Sequence, residues 1–299
     1  MKKNTDQEKQ KVFIDAKADM CFADSNVNSP QTCSHSYKLS YADQEFLLRD
    51  ELRPLRLQLE LLKTEIILQE NNIHSTIVVF GSTRIVDPTE AKAKYARSVE
   101  LAVNKKNDSQ LQRNVKIAKR LMDKSIYYDM AKEFSAKISV SNEIDNKISL
   151  VVVTGGGPGV MEAANRGAKE VGSPTVGMNI TIPSEQTPNA YITPELCFQF
   201  HYFALRKMHF LLRAKAIAVF PGGYGTLDEL FDALTLLQTH KIKPMPILLF
   251  GKDYWNKVIN FEEMVNEGVI SHEDLSYFQF VESAQEGCDV INEFYQLID

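Results

Sequence analysis

Seven short, mostly apolar runs recur along the chain, each bounded by turn residues or polar segments. Runs of this length that contain no polar residue, such as 216–220, are typical of strands that are buried on both faces. The runs cover residues 76–80, 148–153, 174–180, 197–202, 216–220, 246–250 and 278–281. Most of the segments between them carry apolar residues at helical spacing. Strands that alternate with helices predict right-handed crossovers, so we expect an α/β fold with a doubly wound, Rossmann-like parallel sheet.

The residues before the first run follow a different pattern. Residues 1–40 are polar and aperiodic, which predicts a mobile arm. Residues 41–72 carry a long amphipathic pattern with a break or kink near Pro54, which predicts an N-terminal helical extension. The Rossmann-like domain is then expected to span residues 73–299. The simplest role for the extension is to cover that domain or a partner subunit.

Composition and charge exclude several function classes. The 34 basic and 39 acidic residues give a net charge of −5, so we expect no nucleic-acid partner, which would need a basic surface. No apolar run approaches a membrane span and no signal-peptide pattern follows Met1, so we expect no membrane partner and a cytoplasmic protein. The four cysteines are scattered, with no Cys or His at metal-ligand spacing, and we expect neither a metal nor a cofactor.

The segment from Pro221 to Glu229 combines a glycine turn with a helix start. It follows the apolar run 216–220, and apolar residues recur behind it at helical spacing. Gly222, Gly223 and Gly225 allow a sharp turn and a close approach to a ligand. The free amides of a new helix, together with the Thr226 hydroxyl, favour a phosphate group. Glu229 would follow one turn later, within reach of an attached sugar.

A capping box explains part of the same segment without a ligand. Thr226 as the N-cap residue and Glu229 three positions later satisfy the S/T-x-x-E pattern. A cap requires neither the proline nor three glycines in four residues, which favours the phosphate site.

A second glycine turn follows the run 148–153, and a third turn follows the run 76–80. The second turn contains Gly156, Gly157 and Gly159 and opens a predicted helix. A dinucleotide fingerprint counted from Gly155 needs glycine where Val160 stands, and the lysine of a P-loop is missing. The third turn brings Ser82 to the same edge of the sheet, although a simple turn explains it equally well.

One predicted helix carries basic residues. Arg206 and Arg213 are seven positions apart, or two helical turns, so both could lie on one face, with Lys207 beside the first. Solvated surface charges are the simpler explanation of this pattern.

Two glycine motifs together resemble a known family. The segments 155–163 (GGGPGVMEA) and 221–229 (PGGYGTLDE) resemble the LOG, or "lonely guy", nucleotide phosphoribohydrolases, once labelled lysine decarboxylases. The resemblance covers roughly residues 75–295, and the P-G-G-x-G-T-x-x-E motif is specific. Residues 177–191 resemble the longer bacterial branch of the family. The two resemblances supply further candidate nucleotide-binding residues, namely Glu162, Asn179, Glu185, Gln186 and Asn189.

The resemblance implies a reaction and the residues that carry it. The reaction is hydrolysis of the N-glycosidic bond of a purine nucleoside 5′-monophosphate, such as AMP or a cytokinin riboside monophosphate, to the free base and ribose 5-phosphate. The catalytic glutamate matches Glu229, and the arginine of an M-H-E-R-K segment matches Arg206. Lys207 and Arg213 match a lysine and a second arginine of the same helix. The resemblance also implies a homodimer or a higher homo-oligomer.

The residue chemistry supports this activity independently. Cleavage of a glycosidic C–N bond passes through an oxocarbenium-like state, which a carboxylate such as Glu229 stabilises. An arginine such as Arg206 can stabilise the departing base or hold the phosphate.

Some features leave alternatives open. The His and Glu of the M-H-E-R-K segment are Ala204 and Leu205 here, so the base preference of the family is not carried over. Lysine decarboxylation ordinarily needs pyridoxal phosphate on a lysine, and the sequence offers no convincing lysine beside a phosphate turn. A non-catalytic nucleotide-binding regulator and a hydrolase of another phosphosugar or nucleotide stay open. Retention of both Glu229 and Arg206 favours an enzyme.

Overall fold

The computed structural model describes residues 15–24, 28–103, 105, 107–144, 150–183 and 187–296, without the side chains of 24 and 141–144. The chain divides into two compact units, Met1–Leu62 and Lys63–Asp299. The predicted division near residue 72 stays a prediction. Part of the predicted polar arm, residues 1–14 and 25–27, lies outside the described residues.

The first unit contains short helices. The helices of its described residues are α1 (Ala16–Asp24), α2 (Gln44–Leu47) and the first part of α3 (Arg53–Glu70), with short 3-10 helices at His35–Tyr37 and Asp50–Leu52. Helix α1 lies inside the segment predicted as an aperiodic arm. Its alanines and methionine have good helix propensity. Because the segment has no apolar stripe, its sequence periodicity did not predict a helix.

The second unit is built on a seven-stranded sheet in which every pair of neighbouring strands is parallel. The strands are β1 (Ser75–Phe80), β2 (Leu150–Thr154), β3 (Thr175–Ile180), β4 (Cys197–Phe200), β5 (Ala214–Val219), β6 (Ile247–Phe250) and β7 (Gln279–Val281). Their order is β4-β3-β2-β1-β5-β6-β7. Chain order therefore reverses between β1 and β5. The prediction of a doubly wound α/β fold is confirmed.

Helices connect these strands. The remaining helices are α4 (Pro88–Val103), α5 (Ser109–Asp123), α6 (Ile126–Ile144), α7 (Val160–Glu170), α8 (Phe203–Leu212), α9 (Tyr224–Gln238), α10 (Lys252–Val258), α11 (Phe261–Asn266) and α12 (Ala284–Gln296), with 3-10 helices at Pro194–Leu196 and His272–Tyr277. Within the described ranges, none of the helices is both long enough and apolar enough to cross a bilayer.

The core forms two layers, one on each face of the sheet. In β1, Val78 and Phe80 belong to the layer that includes residues of α8 and α9. Ile77 and Val79 belong to the layer that includes residues of α6, α7 and α12. Both faces of the central strands β1, β2, β5 and β6 are therefore largely buried, which explains their continuous apolar runs. At the edges of the sheet, β4 alternates between exposed and buried residues, and the exposed residues of β4 and β7 are Cys197, Gln199 and Gln279.

Candidate active site

A cleft of about 530 Å³ lies where β1, β2 and β5 end at their carboxyl side. Its walls come from the turn after β1, from Gly155 after β2, and from the start of α9 after β5. Helix α8 supplies a fourth wall. Because chain order reverses between β1 and β5, the cleft occupies the position at which open α/β sheets bind ligands.

Backbone hydrogen bonds hold the three turns together. The Ser82 amide donates to the Pro221 carbonyl oxygen at 3.1 Å, and the Val160 amide donates to the Ser82 carbonyl oxygen at 3.1 Å. Ser82 therefore links the turn after β1 to both glycine turns. These contacts fix the shape of the cleft without relying on side chains.

The glycine turn before α9 presents open backbone to the cleft. Gly223 is the N-cap residue and makes no side-chain cap, so the capping-box alternative for Thr226 is wrong. A Cβ at Gly223 or Gly225 would meet no atom of the described chain within 4 Å. The amides of Thr226 and Leu227 donate to the Gly223 carbonyl oxygen at 3.0 Å. The amides at the start of α9 come before Thr226 in the chain, where a helix leaves its amides without partners inside the helix. Together with the helix dipole they form a site suited to an anion.

Gly222 and Thr226 have a different role in this turn. A Cβ at Gly222 would lie 2.0 Å from the Thr226 hydroxyl oxygen, so this glycine makes room for a buried side chain. Thr226 nevertheless borders the cleft.

The second glycine turn packs against other parts of the protein. Gly156 and Gly159 have φ angles of 77° and 73°. A Cβ at Gly156 would lie 2.2 Å from the Asn179 side-chain oxygen, and one at Gly159 would lie 2.4 Å from the Ser82 carbonyl oxygen. Both are buried, as is Gly157. Gly156 and Gly159 thus permit close packing of the loops, and none of the three glycines is among the residues that line the cleft.

Side-chain amides of partly buried asparagines hold the backbone of the second turn and of the neighbouring strand. The Asn189 side-chain amide donates to the carbonyl oxygens of Gly156 and Gly157 at 3.2 and 3.1 Å and to the Asn165 side-chain oxygen at 2.9 Å. The Asn179 side-chain amide donates to the Phe198 carbonyl oxygen at 3.0 Å. Asn189 and Asn179 therefore hold the backbone in place. Sequence analysis missed Asn165, because a polar residue inside an apolar helix face has no local signal of its partners.

Arg206 lies against the floor of the cleft. Its Nε donates to the Met178 carbonyl oxygen at 2.9 Å. Its guanidinium carbon lies 5.2 Å from the Phe210 ring centre, and a Cβ at Gly155 would come within 2.6 Å of its Nη2. Burial lowers the pKa of Arg206, and the negative charge of Glu229 opposes that effect. An arginine stays protonated under these conditions, so the cleft holds a fixed positive charge.

Glu229 follows one and a half turns into α9 and also borders the cleft. Its exposed fraction is only 9%. Burial raises the pKa of Glu229 to about 7, although the charges of Lys207 and Arg206 act in the opposite direction. The carboxyl group therefore changes its protonation state near neutral pH, as acid–base groups of active sites commonly do.

Three other candidate residues contact protein groups and are not among the residues that line this cleft. The Lys207 ammonium forms an ion pair with Asp228 at 2.7 Å. The Glu162 carboxylate accepts a hydrogen bond from the Tyr128 hydroxyl at 3.1 Å. Arg213 pairs with Glu65.

Glu185 and Gln186 lie outside the described residues. Among the residues that the structure does describe, no group of three or more His, Cys, Asp or Glu side chains could hold a metal ion.

Several residues that sequence analysis did not select border the same cleft. They are Arg84, Met161, Phe203, Tyr224 and Asp228. The motifs contained a usable signal for two of them, since Arg84 follows the Gly81–Thr83 turn and Tyr224 stands between two glycines. Phe203 carries no such signal.

Comparison with known proteins gives consistent matches. A family model described as possible lysine decarboxylase matches residues 161–291. The chain is 30% identical to cytokinin riboside 5′-monophosphate phosphoribohydrolase LOG1 of Arabidopsis thaliana over 153 residues, which cover 50% of this chain and 67% of that protein. LOG3 of the same plant is 30% identical over 50% of this chain and 66% of its own length.

A rice relative aligns over more of its length. The protein named probable cytokinin riboside 5′-monophosphate phosphoribohydrolase LOGL3, from Oryza sativa subsp. japonica, is 28% identical over 58% of this chain and 79% of its own length. The family model includes the glycine motif at 221–229, and by its match to LOG1 the chain belongs to the LOG family.

Proposed function

We propose that this chain hydrolyses the N-glycosidic bond of purine nucleoside 5′-monophosphates, of the AMP or cytokinin riboside monophosphate type, to the free base and ribose 5-phosphate. One observation carries the proposal: Glu229 and Arg206, from different helices, border the same cleft as the open start of α9. The names of the plant relatives, which are phosphoribohydrolases of nucleoside monophosphates, support it.

The phosphate group would bind at the start of α9. Gly223 and Gly225 leave the backbone amides accessible, and Thr226 can add a hydroxyl donor. Ser82 and the Arg84 side chain border the same space from the turn after β1. A doubly charged phosphate between a helix N-terminus and an arginine is held by both a dipole and a full charge. Binding there positions the sugar for reaction.

The reaction needs a water molecule and a leaving base. As the bond between C1′ and the base nitrogen breaks, the ribose acquires positive charge, and water adds to C1′. An ionised Glu229 would stabilise that charge and accept the proton that the water loses. The base takes the electron pair of the broken bond and a proton from solvent, and Glu229 returns the proton of the water to solvent, so that the products are the neutral base and ribose 5-phosphate.

Arg206 would act on the departing base. Its Nε is held by the Met178 carbonyl oxygen, which leaves the terminal nitrogens of the guanidinium to face Gly155 and the cleft. A fixed positive charge near the base stabilises the negative charge that accumulates on the base as the bond breaks. We further propose that the protein works without a metal or cofactor, as a homodimer or higher homo-oligomer in the cytoplasm.

The test is a panel of nucleoside 5′-monophosphates, with the free base measured by chromatography. We expect release of base from at least one purine monophosphate. Glu229→Gln should reduce kcat about 10²- to 10⁴-fold, with a smaller effect on KM. Glu262→Gln, which removes an exposed carboxylate on α11, serves as the matched control and should behave like the wild type. Binding of a monophosphate without release of base would indicate a non-catalytic regulator instead.

A further inference from the structure

Two aromatic side chains at the cleft are largely uncovered. Phe203 is the first residue of α8 and Tyr224 is the first residue of α9, and both border the cleft. Their exposed fractions are 54% and 92%. An aromatic ring that is exposed to this extent contributes little to folding, because its stabilising effect comes from burial. A role in the packed core therefore does not account for either residue.

The other groups around these rings suit the polar parts of a nucleotide. Ser82, Arg84 and the start of α9 offer donors and positive charge for phosphate, and Glu229 offers a carboxylate for the sugar. The nucleobase is the flat part of such a ligand, and aromatic rings bind it through its faces. Phe203 and Tyr224 are the aromatic residues of the cleft that remain exposed enough for this contact.

We propose that Phe203 and Tyr224 bind the nucleobase by stacking on it, an assignment that rests on the proposed function for the phosphate and the sugar. The Arg206 guanidinium carbon lies 5.9 Å from the Phe203 ring centre. A base that stacks on Phe203 therefore lies beside the charge that stabilises it as it departs. Recognition and catalysis share this part of the cleft.

Stacking predicts a characteristic specificity. Every base offers an aromatic face, so stacking discriminates weakly between bases and favours larger rings. We expect adenine and guanine monophosphates to bind within about tenfold of each other, and pyrimidine monophosphates to bind more weakly.

The experiment compares a ligand that has a base with one that lacks it. KM for AMP and the inhibition constant of ribose 5-phosphate are measured for the full-length wild type, Phe203→Leu and Tyr224→Leu. We expect each leucine variant to raise KM for AMP about 5- to 100-fold and to leave the ribose 5-phosphate constant within about twofold. Tyr224→Phe keeps the ring, so its KM should stay well below that of Tyr224→Leu. Tyr37→Leu removes an exposed ring of the first unit and serves as the control.

The outcomes separate this proposal from the proposed function. If both constants rise together, or if neither changes, the stacking assignment is overturned. If the wild type releases no base from AMP, the proposed activity fails, and dissociation constants from calorimetry replace KM in the same comparison. A selective loss of AMP affinity in the leucine variants then still supports stacking, whereas equal affinities, or no binding of AMP to the wild type, overturn it.

Discussion

Arg213 and Glu65 form a bidentate ion pair, in which Arg213 Nη1 lies 2.5 Å from Glu65 Oε1 and Arg213 Nη2 lies 2.9 Å from Glu65 Oε2. Arg213 Nε also donates to the Ile73 carbonyl oxygen at 3.0 Å. All three sides of the guanidinium are thus engaged at the point where α3 leads into β1. The family resemblance implies a nucleotide-binding role for Arg213, whereas this geometry favours a structural one.

We expect Arg213→Gln to act on stability rather than on substrate binding. The change leaves the half-buried Glu65 carboxylate without its partner, which should lower the free energy of unfolding by about 1–3 kcal/mol. KM for AMP should change less than twofold, while Arg206→Gln should reduce kcat/KM at least about 100-fold. Urea unfolding and steady-state kinetics measure the two effects. A tenfold rise in KM at unchanged stability would assign Arg213 to the ligand.

The same pair makes a pH-dependent contribution. Hydrogen bonding to Arg213 lowers the pKa of Glu65 below its ordinary value. The stabilisation is therefore present above the unfolded-state pKa and is lost as the pH falls through the lowered pKa of the folded state. The difference in stability between wild type and Arg213→Gln should accordingly shrink in acid.

Gly225→Ala should weaken substrate binding without lowering stability, whereas Arg213→Gln should lower stability without weakening substrate binding. The position lies inside α9 and has open space around it, so alanine can stabilise the helix by up to about 1 kcal/mol. The added methyl group would project into the space proposed for the phosphate, and KM for AMP should rise at least about tenfold. Thermal unfolding and kinetics of one preparation test both statements.

Gly159→Ala is the matched comparison. Here the φ angle is 73°, and the new Cβ would lie 2.4 Å from the Ser82 carbonyl oxygen. Strain and a backbone clash should lower stability by more than about 1 kcal/mol. If Gly225→Ala lowered stability as Gly159→Ala is expected to do, the open start of α9 would have a packing role after all.

The sequence predicts the strands of this fold well because of how they are buried. Each of the seven runs overlaps a strand, and within the described residues the observed boundaries differ from the predicted ones by at most two residues. The predicted start of the second strand, residues 148 and 149, lies outside the described residues. The central strands are buried on both faces and have few polar positions, whereas the edge strand β4 shows the alternation of a strand that is buried on one face. The parallel arrangement follows from the alternation of strands with helices. The order of the strands was not predicted, because the handedness of a crossover does not fix which strands are neighbours.

The candidate site is less predictable because its residues depend on distant partners. Gly156 and Gly223 look alike in the sequence, but the first packs against Asn179 and the second faces open space. Arg206 and Arg213 share a helical spacing of seven, yet α8 ends at Leu212 and the second side chain turns to Glu65. Such differences are set by contacts between elements, which local patterns do not contain.

Glu229 should give the reaction a pH dependence near neutrality. If the ionised carboxylate is required, kcat/KM for AMP should rise about tenfold per pH unit below 7 and level off above it, because kcat/KM reports the free enzyme and burial raises the pKa of Glu229 to about 7. The substrate phosphate titrates near pH 6 and adds its own effect. The pH profile of kcat/KM for Glu229→Gln should keep the change that the phosphate causes near pH 6 and lose the change near pH 7. A wild-type profile that is flat from pH 6.5 to 8 would contradict this role.

The same carboxyl group should reduce stability at alkaline pH. Its folded-state pKa of about 7 exceeds the ordinary value of 4.5, so between these values the folded chain binds more protons than the unfolded chain. The free energy of unfolding therefore falls as the pH rises through this window, and the whole contribution is lost above pH 7. Glutamine carries no charge to desolvate. Glu229→Gln should thus be more stable than the wild type at pH 8, by about 1–3 kcal/mol, and nearly equal to it at pH 5. Urea unfolding at both pH values measures the difference, with Glu262→Gln as the control. If Glu229→Gln were no more stable than the wild type at pH 8, the cost of burying this carboxylate would be absent.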